Sequence, residues 1–201
     1  YLASGILFVV VIAIPAVAAS LYLAVWHSER FWPMFSTGSA AHTSLAAALN
    51  SAICEVIERD AIALTWLARL PLPRIELSEP LPIDLASHYA AHKQGLVQHT
   101  FYDATTDVGV PTVYAVQLLD GHPMLSQYVN CATGFSAATA CAKTIREALP
   151  ARSIFRYTYE RPAEVIDFTS LYHGATFLGA PERRSAFDFL RKTPTSRALA
   201  D

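Results

Sequence analysis

The chain has 201 residues, of which 53% are hydrophobic and 16% charged, and its formal net charge is -2. This composition suits one sizeable core and excludes a disordered chain, and the absence of lysine or arginine runs argues against a nucleic-acid partner. The three cysteines have no paired spacing, so they predict neither a disulfide scaffold nor a structural zinc site, and a reducing cytoplasm is the expected compartment.

The N-terminal run of uncharged residues, 3–26, is long enough to span a bilayer. Pro15 divides it, and residues 5–12 are strongly β-branched, which favours a buried strand over a membrane helix. No basic residue lies on the N-terminal side, where a signal peptide or membrane anchor would carry one. We therefore predict strands at 6–12 and 20–25, with a membrane segment at 2–26 as the alternative.

A long helix is predicted to begin at Thr43 or Ser44, which suit an N-cap, and to end at Arg69 or Leu70, before Pro71. Most of its surface is apolar, and its polar side chains fall in one narrow stripe. The stripe consists of Ser44, Ser51, Glu55, Glu58, Thr65 and Arg69. Such a pattern predicts a buried helix whose stripe faces a cavity.

After this helix the sequence pattern changes from helical to one of connectors and strands. A proline-rich connector is followed by a short predicted helix at about 85–93. β-branched and aromatic residues bounded by turns predict strands at 96–102, 112–119 and 124–129, of which the last two form a hairpin.

Two further helices are predicted, at 137–156, where Pro150 should introduce a kink, and at 181–192. Strands and helices alternate along the chain. The predicted fold class is therefore α/β or α+β.

Glu55 and Glu58 lie one helical turn apart, where two ionised carboxylates repel each other. A divalent cation would neutralise them, and carboxylates without imidazole or thiolate neighbours suit a hard ion such as Mg²⁺. The spacing leaves a second interpretation open, in which both are solvated helix residues and Glu55 forms a surface ion pair with Arg59.

Two other segments also have two interpretations. Ser36 to Ser39 precede a helix and could let backbone N–H groups approach a phosphate, but similar sequences cap ordinary helices. Glu147 could belong to a site, or it could form a surface pair with Lys143. Histidine patterns of zinc enzymes and the G-x-S-x-G motif of hydrolases are absent from the sequence, so no catalytic residue is assigned.

Residues 36–61 resemble the signature of the YcaO family, a small-residue loop followed by a helix with the pattern E-x-x-E-R. Here the loop is 36–42, and the pattern is Glu55-Val56-Ile57-Glu58-Arg59. Tyr102-Asp103 with residues 107–111 is similar to the family's "YD…D-x-G-V-P" strand and turn. Residues 140–147 with Arg152 are more loosely similar to its second acidic helix.

The resemblance implies an enzyme that uses ATP and Mg²⁺ to activate backbone amides of a ribosomally made precursor peptide. In the cyclodehydratase members, a Cys, Ser or Thr side chain attacks the preceding carbonyl, ATP phosphorylates the resulting oxygen, and loss of phosphate leaves a thiazoline or oxazoline. Phosphorylation turns a poor leaving group into a good one. The alternatives are thioamide or amidine formation, and a non-catalytic subunit that binds a leader peptide or partner.

The resemblance also implies roles for particular residues. Glu55, Glu58 and Glu147 would bind Mg²⁺, Arg59 and Lys143 would neutralise phosphate charge, and Ser36 would line the nucleotide pocket. The implied fold packs mixed β-sheets with long helices and places the ATP site between two acidic helices.

We expect one YcaO-like domain over residues 1–201, incomplete at both ends. The expected partner is the precursor peptide, with a separate leader-binding protein and a second copy of the chain as further candidates. Neither nucleic acid nor a membrane is expected.

Overall fold

A computed structural model describes residues 37–93, 97–155 and 160–199. Ser36 and the strands predicted at 6–12 and 20–25 lie outside the described residues. The chain divides into two compact units, Tyr1–Arg59 and Asp60–Asp201. In the described part of the chain, no helix has the length and apolar character needed to cross a membrane.

Helix α1, Leu45–Ala68, confirms the predicted long helix. The carbonyl of Ser44 accepts the Ala48 N–H at 3.0 Å, as expected at a helix start. At the other end Arg69 adopts a left-handed φ of 49°, and the Leu70 N–H donates to the Thr65 carbonyl at 3.1 Å. The prolines that follow have no N–H to extend the helix.

Helix α1 is less buried than its composition predicts. Glu58 and Thr65 in its polar stripe are buried, but Ser51 and Arg69 are exposed. Large apolar side chains are exposed at Leu49, Ile53, Val56, Leu64 and Leu67. The apolar residues surround the helix on nearly every side, whereas packing covers only part of it, so the prediction of a buried helix is wrong.

A five-stranded sheet forms the centre of the second unit, with the order β4-β3-β2-β1-β5. The strands are β1 Arg74–Glu76, β2 Val97–Asp103, β3 Thr112–Leu119, β4 Gln127–Thr133 and β5 Ser196–Ala198. Neighbours from β4 to β1 pair antiparallel, and β5 pairs parallel with β1. The predicted hairpin of β3 and β4 is confirmed, with Tyr114 opposite Cys131.

Only some of the helices that cover this sheet were predicted from the sequence. Helices α2, Ile83–Lys93, and α3, Ala137–Phe155, confirm two predictions, and Pro150 lies inside α3. Helix α4, Leu171–Leu178, was not predicted. The helix expected at 181–192 is instead a 3₁₀ segment, Pro181–Phe187, followed by the short α5, Asp188–Arg191.

Successive side chains of each strand point to opposite faces of the sheet, so they pack in two separate cores. Phe101 and Val113 point to one core, where α3 contributes Ile145. Tyr102 and Tyr114 point to the other, beneath α1 and the segment around Phe187. Because helices cover both faces, the interior strand β3 is buried over its first six residues, and its sequence is a nearly continuous apolar run.

Candidate functional site

The E-x-x-E-R pattern lies in the middle of α1, as predicted. Glu58 is only 6% exposed, and Glu55 is half-buried. A carboxylate is rarely buried without compensation, because removing its charge from water is costly. The helix therefore holds two carboxylates one turn apart, one of them almost excluded from solvent.

The loop before α1 contacts the first of these carboxylates. Gly38 has a left-handed φ of 81°, and its N–H donates to Glu55 Oε2 at 3.2 Å. A Cβ at Gly38 would lie 3.1 Å from Val56 Cγ2, a closer approach than side chains normally make. Glycine is thus favoured both by the backbone conformation and by the space beside α1.

Arg59 takes the position expected for a surface ion pair. Its Nη2 lies 3.9 Å from Glu55 Oε1, and its side chain is 56% exposed. Such a pair contributes little to stability, so it leaves the guanidinium able to turn toward another anion. Glu55 is consequently oriented from two sides, by the Gly38 N–H and by Arg59.

His42 has a local structural role at the start of α1. Its Nδ1 accepts the Ser44 N–H at 3.0 Å, so the imidazole serves as a cap for a helix-terminal donor. The imidazole is exposed.

Glu147 lies on α3 in the second unit, whereas Glu55 and Glu58 belong to the first. Lys143 Nζ is 3.8 Å from Glu147 Oε1, and the glutamate side chain is 44% exposed. The described residues contain no group of three or more His, Cys, Asp or Glu side chains placed to hold a metal ion. Mg²⁺ in nucleotide sites commonly binds only one or two protein carboxylates, so a site does not need such a group. The assignment of Glu55, Glu58 and Glu147 as metal ligands therefore stays a prediction.

A buried polar cluster beneath α3 is a feature that sequence reasoning missed. Arg152 donates to the Leu125 carbonyl at 3.0 Å and to the carbonyl and side-chain oxygens of Gln117, both at 3.4 Å. Burial lowers the pKa of Arg152 to about 10. The Thr144 carbonyl accepts from Asn130 at 3.0 Å. These bonds tie α3, which carries Lys143 and Glu147, to the sheet.

A family model described as "YcaO cyclodehydratase, ATP- and Mg²⁺-binding" matches residues 11–201. The chain belongs to the YcaO family. This match confirms the resemblance to the YcaO family, and it confirms ATP and Mg²⁺ as the cofactors of that family. A search of curated protein sequences found no significant match.

Solved structures show the same fold at low sequence identity. YcaO from Methanopyrus kandleri, bound with AMPPCP and Mg²⁺, has a TM-score of 0.62 and 17% identity over 88% of this chain. A heterocyclase in complex with substrate and cofactor has a TM-score of 0.59 and 18% identity over 86%. The Escherichia coli microcin synthetase McbBCD complex with pro-MccB17 bound has a TM-score of 0.57 and 16% identity over 86%. These matches confirm the mixed α/β class.

The chain spans less than half of each of these three structures. It covers 44% of the M. kandleri protein, 22% of the heterocyclase and 43% of the microcin synthetase chain.

Proposed function

We propose that this YcaO chain takes part in ATP-dependent activation of backbone amides in a ribosomally synthesised precursor peptide. The favoured reaction is cyclodehydration of Cys, Ser or Thr to thiazoline or oxazoline. The observation that carries the proposal is the intact E-x-x-E-R pattern, with Glu58 buried and Glu55 oriented by the Gly38 N–H at 3.2 Å. Family membership supports it, as do neighbours described as a heterocyclase with substrate and a microcin synthetase with its precursor.

The carboxylates of Glu55 and Glu58 fit a hard cation. Ionised carboxylates only accept, so they supply oxygen ligands of the type that Mg²⁺ prefers. When bound with ATP, Mg²⁺ would neutralise charge that develops on the phosphates during transfer. The half-exposed Arg59 would then exchange its weak pairing with Glu55 for a phosphate oxygen.

Lys143, Glu147 and Ser36 complete the proposed set. Glu147 would add a third carboxylate from the second acidic helix, and Lys143 a phosphate-neutralising charge. Their present ion pair, at 3.8 Å, is of the weak surface type, so it could give way to stronger ligands. Ser36 would line the nucleotide pocket. We extend the proposal to a single YcaO-like domain in the cytoplasm, with a leader-binding protein and a second copy as candidate partners.

The reaction can be tested by incubating the full-length protein with ATP, Mg²⁺ and its precursor peptide, followed by mass spectrometry. Loss of water from the peptide with phosphate release supports azoline or amidine formation. Exchange of oxygen for sulfur would indicate thioamidation. An unchanged peptide mass without phosphate release would contradict amide activation and favour a non-catalytic role in binding a leader peptide or partner.

Nucleotide binding provides a test of the carboxylates that does not need the peptide. Glu55→Gln and Glu58→Gln should weaken Mg²⁺-dependent ATP binding at least tenfold, because each removes a negative oxygen ligand. Asp60→Asn is the matched control, since Asp60 is exposed on the same helix. If both glutamine variants bind nucleotide like the control, the metal-site assignment is wrong.

A further inference from the structure

The turn between β3 and β4, residues 120–126, joins several parts of the Asp60–Asp201 unit. Four consecutive carbonyls of this turn accept hydrogen bonds from arginine side chains. Pro123 and Met124 accept from Arg161, Leu125 accepts from Arg152 on α3, and Ser126 accepts from Arg184 in the 3₁₀ segment. The Leu125 side chain is fully buried. The conformation of the turn therefore decides how the sheet is joined to α3 and to the segments that carry Arg161 and Arg184.

His122 closes this turn through both nitrogens of its ring. Its Nδ1 accepts the backbone N–H groups of Met124 at 3.2 Å and of Leu125 at 2.8 Å. Its Nε2 lies 3.1 Å from the carbonyl oxygen of Arg152 on α3. A backbone N–H can only donate and a carbonyl can only accept, so these partners require a neutral ring with its proton on Nε2. One tautomer of neutral histidine thus satisfies all three contacts.

A protonated His122 does not fit this arrangement. A proton on Nδ1 would face two N–H donors, so both hydrogen bonds to Nδ1 would be lost. The guanidinium groups that bind the turn, those of Arg152, Arg161 and Arg184, add further positive charge. The carboxylate of Asp120 in the same turn already pairs with Arg184. The imidazolium therefore loses two hydrogen bonds and gains no compensating charge from these groups.

We propose that the β3–β4 turn is a pH-sensitive latch, which closes onto α3 when His122 is neutral and opens when the imidazole takes up a proton. On opening, the N–H groups of Met124 and Leu125 leave the ring, and Leu125 withdraws its carbonyl from Arg152. Histidine has an ordinary pKa of about 6.5, so mild acidification is enough to charge it once the turn is open. The open and unfolded chains bind this proton and the closed turn does not. Stability therefore falls as the pH is lowered.

Urea unfolding of the full chain at about pH 7.5 and about pH 5.5 tests the latch. Proton uptake by His122 in the unfolded chain should raise the unfolding equilibrium constant about tenfold over this range. His122→Asn keeps a side-chain acceptor for the turn and cannot titrate, so this tenfold contribution should disappear. His88→Asn is the matched control and should retain it, because His88 is also half-buried but lies on α2. If His122→Asn shows the same pH dependence as the native chain, the latch is refuted.

Amide hydrogen exchange tests the latch in the native chain, without any substitution. An opening that frees the N–H groups of Met124 and Leu125 also frees Nδ1 of His122 to take up a proton. The protection factors of these two amides, each relative to the intrinsic exchange rate at the same pH, should therefore fall at least about tenfold over this range. Unchanged protection would overturn the proposal, even if His122→Asn failed to fold. The latch does not rest on the proposed enzymatic function, and neither experiment requires nucleotide or peptide.

Discussion

Gly179 closes the end of α4 in a space that leaves no room for a side chain. A Cβ at this position would come within 2.8 Å of the Ala175 carbonyl oxygen, the Met124 carbonyl oxygen and Leu125 Cδ2. Two of these three atoms belong to the backbone and cannot rotate away. The φ of -71° is ordinary for any residue, so the cost of a substitution comes from packing and not from backbone strain.

We therefore expect Gly179→Ala to destabilise the chain. Overpacking costs about 1–3 kcal/mol, and the lower entropy of the unfolded alanine chain returns about 0.4–1 kcal/mol, which leaves a loss of about 1–2 kcal/mol. For a chain of this size the loss corresponds to a decrease in Tm of roughly 3–6 °C. Urea unfolding and thermal unfolding followed by circular dichroism both measure it.

Gly174 in the same helix is the matched control. A Cβ there would lie 3.8 Å from Phe168 Cε2, an ordinary contact, and alanine is a better helix former than glycine by about 0.5–1 kcal/mol. Gly174→Ala should therefore raise stability while Gly179→Ala lowers it. If both substitutions change stability in the same direction, or Gly179→Ala has no effect, the close packing deduced at the end of α4 is wrong.

Three further predictions concern side chains in the second unit and in α1. His122 Nδ1 accepts hydrogen bonds from two backbone N–H groups of the following turn, at 3.2 and 2.8 Å. In urea unfolding, His122→Asn should therefore retain most of the stability, whereas His122→Ala should lose about 1–2 kcal/mol. Equal losses for the two variants would contradict this role. Arg152→Lys should cost about 1–3 kcal/mol by the same measurement, because an ammonium cannot reproduce the forked contacts of the guanidinium, and a neutral result would argue against them. Burial raises the pKa of the Cys141 thiol to about 12, so at pH 8 only about one molecule in ten thousand would carry the thiolate. Iodoacetamide should accordingly label the half-buried Cys54 first, and mass spectrometry that found Cys141 labelled as quickly would refute its burial.

The parts of the fold that the sequence predicted depend on local signals. Helix α1 begins after Ser44 and ends before Pro71, where capping and the missing proline N–H act within one turn. Strand β3 has the predicted bounds, Thr112–Leu119, because it is apolar over most of its length and flanked by turns.

Two strand positions were not predicted. Strand β4 begins three residues later than predicted, at Gln127, because Met124 and Leu125 donate to His122 in the preceding turn. The three-residue strand β1 exists through its pairing with two other strands, although its sequence is a proline-rich connector. The pairing of β1 joins residues far apart in the chain, so no local sequence pattern shows it.

In the candidate site, too, only the features that depend on a local pattern could be predicted. The spacing of Glu55, Glu58 and Arg59 is a local pattern, so the sequence could indicate it. The Gly38 N–H contact with Glu55 joins residues 17 positions apart, and only the turn geometry brings them together.

The parallel pairing of β1 with β5 has a consequence for how the sheet assembles. Arg74 lies opposite Ser196, so this contact closes a loop that includes nearly all of the second unit. Three residue pairs compensate the entropy of that closure, with an ion pair between Arg197 and Asp103 beside them and Leu199 packed against the core. Strands β2, β3 and β4 are instead joined by short connections and can pair early. The β5 edge should therefore be the last part of the sheet to form and the first to exchange its amide hydrogens.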